Sequence, residues 1–385
     1  MEKTNNKTNT AAALLKRWAP VVVMLSFLAV EFYSKFLRYS AASSDLQKGF
    51  KGIVLIAMLL GLLLNFKFNK RLILLLGALF GVFLAGQFTL DPAFSYSNWL
   101  TLGRFVLPIV FFGFFASYPS DKDGLHSFFN LFEWFFVLNL LFVLVGMAAD
   151  WYVVHTYMGD RFGYNGFLVT SATASYAFFA ALGYYYFRYG IAALRQWRFW
   201  IVVVGSALAG TKSLYLGMVL FGLLMLFDHY KKYWKFLLPA GALCLLGALY
   251  ILLYQVPEFA QIRVQEGFWS ALLSYRDQLL VNQTLPYVTD NWQWSNYLFG
   301  GVSDFSLRSQ LDLIDLFFFW GIFGGLIYLF TYLKTYFDFK LTWPQLVYFL
   351  ILGLMVLFAG NFFIYTSVPL FLLSLKLAIV KNYIS

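Results

Sequence analysis

The sequence predicts an all-α, polytopic membrane protein of about twelve transmembrane helices with one large extracytoplasmic loop. Three observations predict it. Of 385 residues, 61% are hydrophobic and only 12% charged, where a soluble domain carries about 25% charged residues. The apolar residues fall in long runs, several reaching the roughly 20 residues that cross a bilayer as a helix. The runs stop once, from Gln255 to about Leu311. That stretch holds Arg263, Arg276, Arg308, Glu258, Glu266, Asp277, Asp290 and Asp304 with Trp269, Trp292 and Trp294.

The expected spans lie near 18–37, 50–65, 72–90, 98–117, 127–149, 167–187, 198–210, 213–227, 235–254, 313–333, 344–359 and 363–380. The first follows a polar, basic stretch and lacks a small-residue cleavage site, so it reads as a span and not a removed signal. The ten or so residues at the start read as a disordered tail. Lys67, Lys70 and Arg71 separate the second and third spans, and Lys122 lies between the fourth and fifth. The seventh and eighth are short and meet at Gly210-Thr211-Lys212-Ser213. Two helices joined by a tight turn, or one broken helix, both fit that pattern; the count of twelve requires two. The whole of 1–385 then reads as a single integral membrane domain, with 255–311 as its large loop.

Basic residues decide the sides. The even-numbered gaps and both ends hold Lys3, Lys7, Lys16, Arg17, Arg188, Arg195, Arg198, Lys231, Lys232, Lys235, Lys334, Lys340 and Lys381 besides those already named. The odd-numbered gaps hold fewer: Lys35, Arg38, Lys48, Lys51, Arg161, Lys212 and the three loop arginines. This asymmetry places both termini in the cytoplasm and the long loop outside. Because the basic residues sit in short clusters between spans, the net charge of +10 implies no nucleic-acid partner. The single cysteine, Cys244, excludes an intrachain disulfide, and His126, His155 and His229 lie in different gaps, which makes a His/Cys metal site improbable. No cofactor is expected.

The outer face collects charge in four places: Gly159-Asp160-Arg161-Phe162-Gly163-Tyr164-Asn165 with His155 before it; Lys212; Arg263 with Ser274-Tyr275-Arg276-Asp277; and Leu298–Asp304 leading into Arg308, Asp312 and Asp315. Arg104 lies inside the fourth span. Cations at a lipid boundary suit a lipid-linked phosphate or pyrophosphate, which arginine grips bidentately and lysine meets as a point charge. A pyrophosphate leaving group gains charge as its bond to carbon breaks, and fixed cations lower that barrier. The candidate phosphate contacts are therefore Arg161, Lys212, Arg276 and Arg308. The candidate proton acceptors are Asp312 and Asp315, three apart and so on one helix face. Each has a structural alternative. Asp312 and Asp315 also read as helix N-terminal acids stabilised by the macrodipole. Lys212 reads as a snorkelling cation, Arg263 as the ion-pair partner of Glu266, and Glu31 and Glu133 as helix-packing contacts.

Four segments carry a resemblance: Arg161-Phe-Gly-Tyr-Asn-Gly; Leu208-Ala-Gly-Thr-Lys-Ser-Leu-Tyr; Tyr297-Leu-Phe-Gly-Gly followed by Phe319-Trp-Gly-Ile-Phe-Gly-Gly; and Phe358-Ala-Gly-Asn-Phe-Phe. In order and spacing the chain resembles, from about residue 150 onward, the Wzy-type O-antigen and capsular polysaccharide polymerases, relatives of the O-antigen ligases. The resemblance implies a metal-independent glycosyltransferase of the bacterial cytoplasmic membrane. Its substrate would be an undecaprenyl-pyrophosphate-linked oligosaccharide, membrane lipid its surroundings, and a chain-length regulator a further partner. It also implies functional outer arginines, which map onto Arg161, Arg276 and Arg308. The ligases use a histidine in the large outer loop, and none lies between Gln255 and Leu311. That favours a polymerase over a ligase using His155. A lipid-linked oligosaccharide flippase is the alternative of another class, but charge gathered at one face and the lack of matching halves disfavour it.

Overall fold

The structure is a computed structural model that describes residues 3–39, 45–90, 94–119, 121–157, 159 and 161–381. The described residues form helices and no strand; His155 and Tyr164 make one isolated antiparallel pairing. Seven helices are long and apolar enough to cross a membrane: Trp18–Leu37, Leu46–Leu64, Phe66–Gln87, Tyr96–Ser117, Lys122–Ala148, Lys212–His229 and Asp312–Tyr336. The all-α membrane class therefore holds.

The finer count does not emerge from helix length alone. Ser171–Arg195 and Trp197–Leu208, bent by 105°, pass the same length and hydropathy test only when taken together. At about 1.5 Å per residue, the 12 residues of Trp197–Leu208 fall short of a bilayer core of about 30 Å. Trp234–Tyr250, Trp343–Ala359 and Val368–Lys381 have 17, 17 and 14 residues. The expected tail is helical: the first helix begins at Lys3, and Ala11-Ala12-Ala13-Leu14-Leu15 supplies strong helix formers there. Asp160 lies outside the described residues.

The chain divides into two compact units. Unit 1 comprises Met1–Ile73, Leu107–Gly210 and Thr366–Ser385. Its core is the helix Ser171–Tyr189, buried along most of its length, against which Val368–Lys381 packs. Ala172, Ala174, Ser175, Ala177, Ala180, Ala181 and Gly183 keep that helix slim, so neighbouring backbones approach closely. Thr170 caps it, accepting from the Thr173 N–H at 3.1 Å.

Unit 2 comprises Leu74–Val106 and Thr211–Tyr365. Its core is aromatic: Phe105, Phe305, Phe319, Trp320 and Tyr328 form a continuous set of ring contacts around the helix Asp312–Tyr336. That helix breaks at Gly321 (φ 66°, ψ −175°). The polar interruption is folded into short helices, Pro257–Glu266, Phe268–Leu273, Arg276–Leu279, Leu285–Asn291 and Trp294–Phe299. Thr342 and Gln345 form a capping box at the start of Trp343–Ala359, the helix that delivers Phe358 to the site.

Candidate functional site

Unit 2 brings Arg276, Arg308, Asp312 and Asp315 to one junction between residues 308–312 and 358–363. The chain enters Arg276 through Ser274 and Tyr275, both left-handed at φ 56° and 65°. Arg276 Nη1 donates to the Phe358 carbonyl at 2.7 Å and to that of Leu273 at 3.4 Å. Phe358 lies in the last turn of its helix, where carbonyls lack intrahelical partners, so a guanidinium there satisfies an orphan acceptor. Gly360 (φ 67°) and Asn361 (φ 65°) then reverse the chain. A side chain at Gly360 would run into the Gln310 carbonyl, which itself belongs to a left-handed residue at φ 62°.

Arg308 closes the same junction. Its Nη2 donates to Asn361 Oδ1 at 3.1 Å, its Nη1 to the Phe305 carbonyl at 3.2 Å, and its Nε lies 3.7 Å from an Asp315 carboxylate oxygen. Asp315 Oδ1 also accepts from Ser309 Oγ at 2.9 Å. Asp312 serves the opposite strand of the junction: its oxygens accept from the N–H groups of Phe362 at 2.9 Å and Phe363 at 3.4 Å. Both carboxylates are 3% exposed. The two acids share a helix face but do different jobs, one orienting an arginine and one holding a backbone turn. Arg104 is exposed and close enough to Arg308 for the two charges to interact.

Among the described residues, four of the six non-glycine residues with positive φ are Ser274, Tyr275, Gln310 and Asn361. Such conformations cost energy, persist only where surrounding contacts impose them, and cluster at functional sites. Here they frame Arg276 and Arg308.

Other candidates in unit 2 have structural tasks. Lys212 Nζ donates to the carbonyls of Ala271 at 2.7 Å and Leu272 at 3.0 Å, at the C-terminal end of Phe268–Leu273, where a cation complements the helix dipole. The expected Arg263–Glu266 ion pair does not form. Arg263 stacks on the Tyr254 ring at 4.2 Å, while Glu266 accepts from Gln278 Nε2 at 2.7 Å. Asp277 accepts from Ser270 Oγ at 2.6 Å. Hydrogen bonds from the Ser306 hydroxyl and N–H hold the Asp304 carboxyl below the usual carboxylate range. Trp292 Nε1 donates to the Gly301 carbonyl at 2.9 Å, whereas Trp269 and Trp294 are exposed.

In unit 1, Arg161 lies over the Tyr157 ring at 3.8 Å. His155 sits against Tyr152 and Tyr164, with ring centroids at 5.1 and 4.8 Å. The loop carrying Arg161 docks on the end of Trp197–Leu208: Tyr164 N donates to the Leu208 carbonyl at 2.7 Å and Thr156 Oγ1 to that of Ala209 at 2.9 Å. Lys35, 1% exposed, pins the far end of this loop through Asn165 Oδ1 and the Gly166 carbonyl, each at 2.6 Å. Glu31 accepts from Gln47 and Lys51. Glu133 pairs with Arg188 at 2.9 Å and with Arg198 at 2.7 Å.

Of the segments that carried the resemblance, the first two meet each other, the two parts of the third meet, and the fourth meets residues 308–312. Residues 161–166 meet 208–210 in unit 1. In unit 2, Gly301 N donates to the Phe319 carbonyl at 3.2 Å, and 361–363 close on Arg308 and Asp312. Missed at the sequence level were Asn361, Ser309, the Phe358 carbonyl, Lys35 and Asn296. Asn296 is fully buried and donates to Gly86, Thr89 and Gly300. Phe358 and Asn361 share one quoted motif, and Lys35 is visible only as a basic residue between spans. Comparison with protein-family models, curated proteins and solved structures finds no match.

Proposed function

We propose that the chain is a polysaccharide polymerase of the bacterial cytoplasmic membrane. It would join undecaprenyl-pyrophosphate-linked oligosaccharide repeat units at the outer face. In this reading the chain crosses the membrane twelve times, both termini are cytoplasmic, 255–311 faces outward, and the short helices of the carboxy-terminal half cross where the bilayer thins around them. The observation that carries it is the strained junction of unit 2, where Arg276 bonds the Phe358 carbonyl and Arg308 bonds the Asn361 side chain. Guanidiniums held at fixed positions stabilise charge developing on a phosphate without reorganising.

In the reaction, a sugar hydroxyl of one unit attacks the anomeric carbon of another chain. The new glycosidic C–O bond forms as the bond from that carbon to the pyrophosphate oxygen breaks. The hydroxyl proton passes to a base, and undecaprenyl pyrophosphate leaves with the electron pair. Arg276 and Arg308 stabilise the charge that develops on the leaving oxygen. The sequence offers Asp312 and Asp315 as the base. Their burial and contacts favour positioning instead, Asp315 for Arg308 and Asp312 for the 361–363 turn. Arg161 is a further candidate phosphate contact. Lys212 is a weaker one, because its ammonium already bonds two carbonyls.

The test is extraction of lipid-linked glycans from a deletion strain. Accumulated single repeat units support the polymerase reading. Full-length chains retained on the lipid point to a ligase, and an unchanged glycan profile removes both.

A further inference from the structure

We propose that unit 1 holds a binding site for the phosphate of an anionic membrane phospholipid, formed by Arg188 and Arg198 around Glu133. Glu133 is 6% exposed on the helix Lys122–Ala148. One of its oxygens accepts from Arg188 Nη1 at 2.9 Å, from the Tyr184 hydroxyl at 2.8 Å and from the Tyr189 hydroxyl at 3.2 Å. The other accepts from Arg198 Nη1 at 2.7 Å. One carboxylate thus faces two guanidiniums and leaves one positive charge, the complement of one phosphodiester. Each arginine meets Glu133 through a single nitrogen and not through the two-pronged edge that grips a carboxylate most strongly. Their side chains are 22% and 25% exposed, so the remaining N–H groups reach the surface.

Two further observations point to a ligand and to its class. The Tyr185 hydroxyl is buried with no hydrogen-bond partner, and its ring packs on Tyr184 and Tyr189. A buried polar group in a charged cluster without a partner is rare and costly. The surface around the arginines is apolar: Trp134, Trp197, Trp200, Ile191 and Leu194 are all at least 40% exposed, and the Arg198 guanidinium lies 4.8 Å over Trp134 and 5.4 Å from Trp197. Tryptophan beside arginine is the pattern of a membrane–water interface. A soluble anion would use the arginines and leave the rings bare, whereas a lipid uses both. A zwitterionic headgroup would bring its own cation against the uncompensated charge.

The test uses the full-length protein purified in detergent. Its melting temperature is followed as micelles are doped with phosphatidylglycerol or phosphatidylcholine, and retained lipid is weighed by native mass spectrometry. Phosphatidylglycerol should raise the melting temperature and be retained, and phosphatidylcholine should do neither. Arg198→Gln should weaken phosphatidylglycerol binding about tenfold, the loss expected for one charged hydrogen bond. Glu133→Gln frees both arginines and should strengthen binding even as it lowers basal stability; a purely structural ion pair predicts the stability loss with no gain in lipid. Trp197→Ala with Trp200→Ala keeps every charge and should weaken the lipid. Equal responses to the two lipids, or an unchanged phosphatidylglycerol response in Glu133→Gln and in the tryptophan variant, overturns the site. Glycerol phosphate matching the lipid at equal concentration overturns the lipid assignment in favour of a soluble phosphate ester.

Discussion

At the scale of single residues, the arginines of unit 2 differ by what already holds them. Arg276 bonds backbone carbonyls, while Arg308 bonds a carbonyl and an amide oxygen and lies 3.7 Å from Asp315. Arg263 only covers the Tyr254 ring. Lysine preserves charge but not the planar fork, so Arg276→Lys and Arg308→Lys should lose polymer nearly as completely as the alanine variants. Arg263→Ala should leave chain length unchanged. Gel profiles of the surface polysaccharide, normalised to the amount of protein, read this out, and full-length polymer from both lysine variants removes the fork from the mechanism. The acids separate in the same assay. Asparagine at Asp315 keeps an acceptor for Ser309 but loses the charge opposite Arg308, so Asp315→Asn should shorten chains without abolishing them. Asparagine at Asp312 supplies one acceptor oxygen where two N–H groups need two. A buried donor left unsatisfied costs about 1–3 kcal/mol. Asp312→Asn should therefore lower the melting temperature more than Asp315→Asn does. Loss of all polymer in Asp315→Asn, with repeat units accumulating and the protein stable, would restore Asp315 as the base.

At the scale of elements, the site depends on glycine junctions more than on helices. Gly300 (φ 71°) and Gly321 (φ 66°) lie so close that a side chain on either would strike the other's backbone. This contact fixes where the helix beginning at Asp312 breaks. Gly360 meets the Gln310 carbonyl in the same way. Gly360→Ala combines a left-handed backbone with a collision, a strain of order 1–3 kcal/mol. It should lower the melting temperature and remove polymer together, whereas Gly353→Ala, in open space on the helix before it, should do neither. An active, stable Gly360→Ala protein shows that the turn relaxes freely. These junctions also show what the sequence made legible. Hydrophobic runs revealed the long helices because period and length are local properties. Gly300-Gly301 reads as a turn from its two glycines alone, and both residues are left-handed. What each turn closes against was hidden: the pairing of Asn361 with Arg308 spans 53 residues and that of Lys35 with Asn165 spans 130, and no local pattern encodes such a contact. The Arg263–Glu266 ion pair was expected from spacing alone, and it lost to a ring and an amide that lie within reach of each partner.

At the scale of the whole molecule, composition and helix length establish a membrane protein, and charge asymmetry argues which way it faces. Cytoplasmic loops of membrane proteins are enriched in lysine and arginine. Here the gaps on the side of 188–198, with both ends, hold 17 lysines and arginines, whereas those on the side of 255–311 hold 9. The first should be cytoplasmic and the second outside. Ala192 and Gln265 are exposed positions in the two segments and suit cysteine labelling; Cys244, also exposed, is first changed to serine. A membrane-impermeant thiol reagent applied to intact cells, or to spheroplasts where an outer membrane intervenes, should label Gln265→Cys and spare Ala192→Cys until the membrane is permeabilised. The reverse pattern inverts the protein and puts the Arg276–Arg308 junction in the cytoplasm, where an outer-face polymerase cannot have its site. Labelling of both positions in sealed cells means the bent pair Ser171–Arg195 and Trp197–Leu208 does not place 188–198 on the cytoplasmic side, and a re-entrant arrangement of that pair follows.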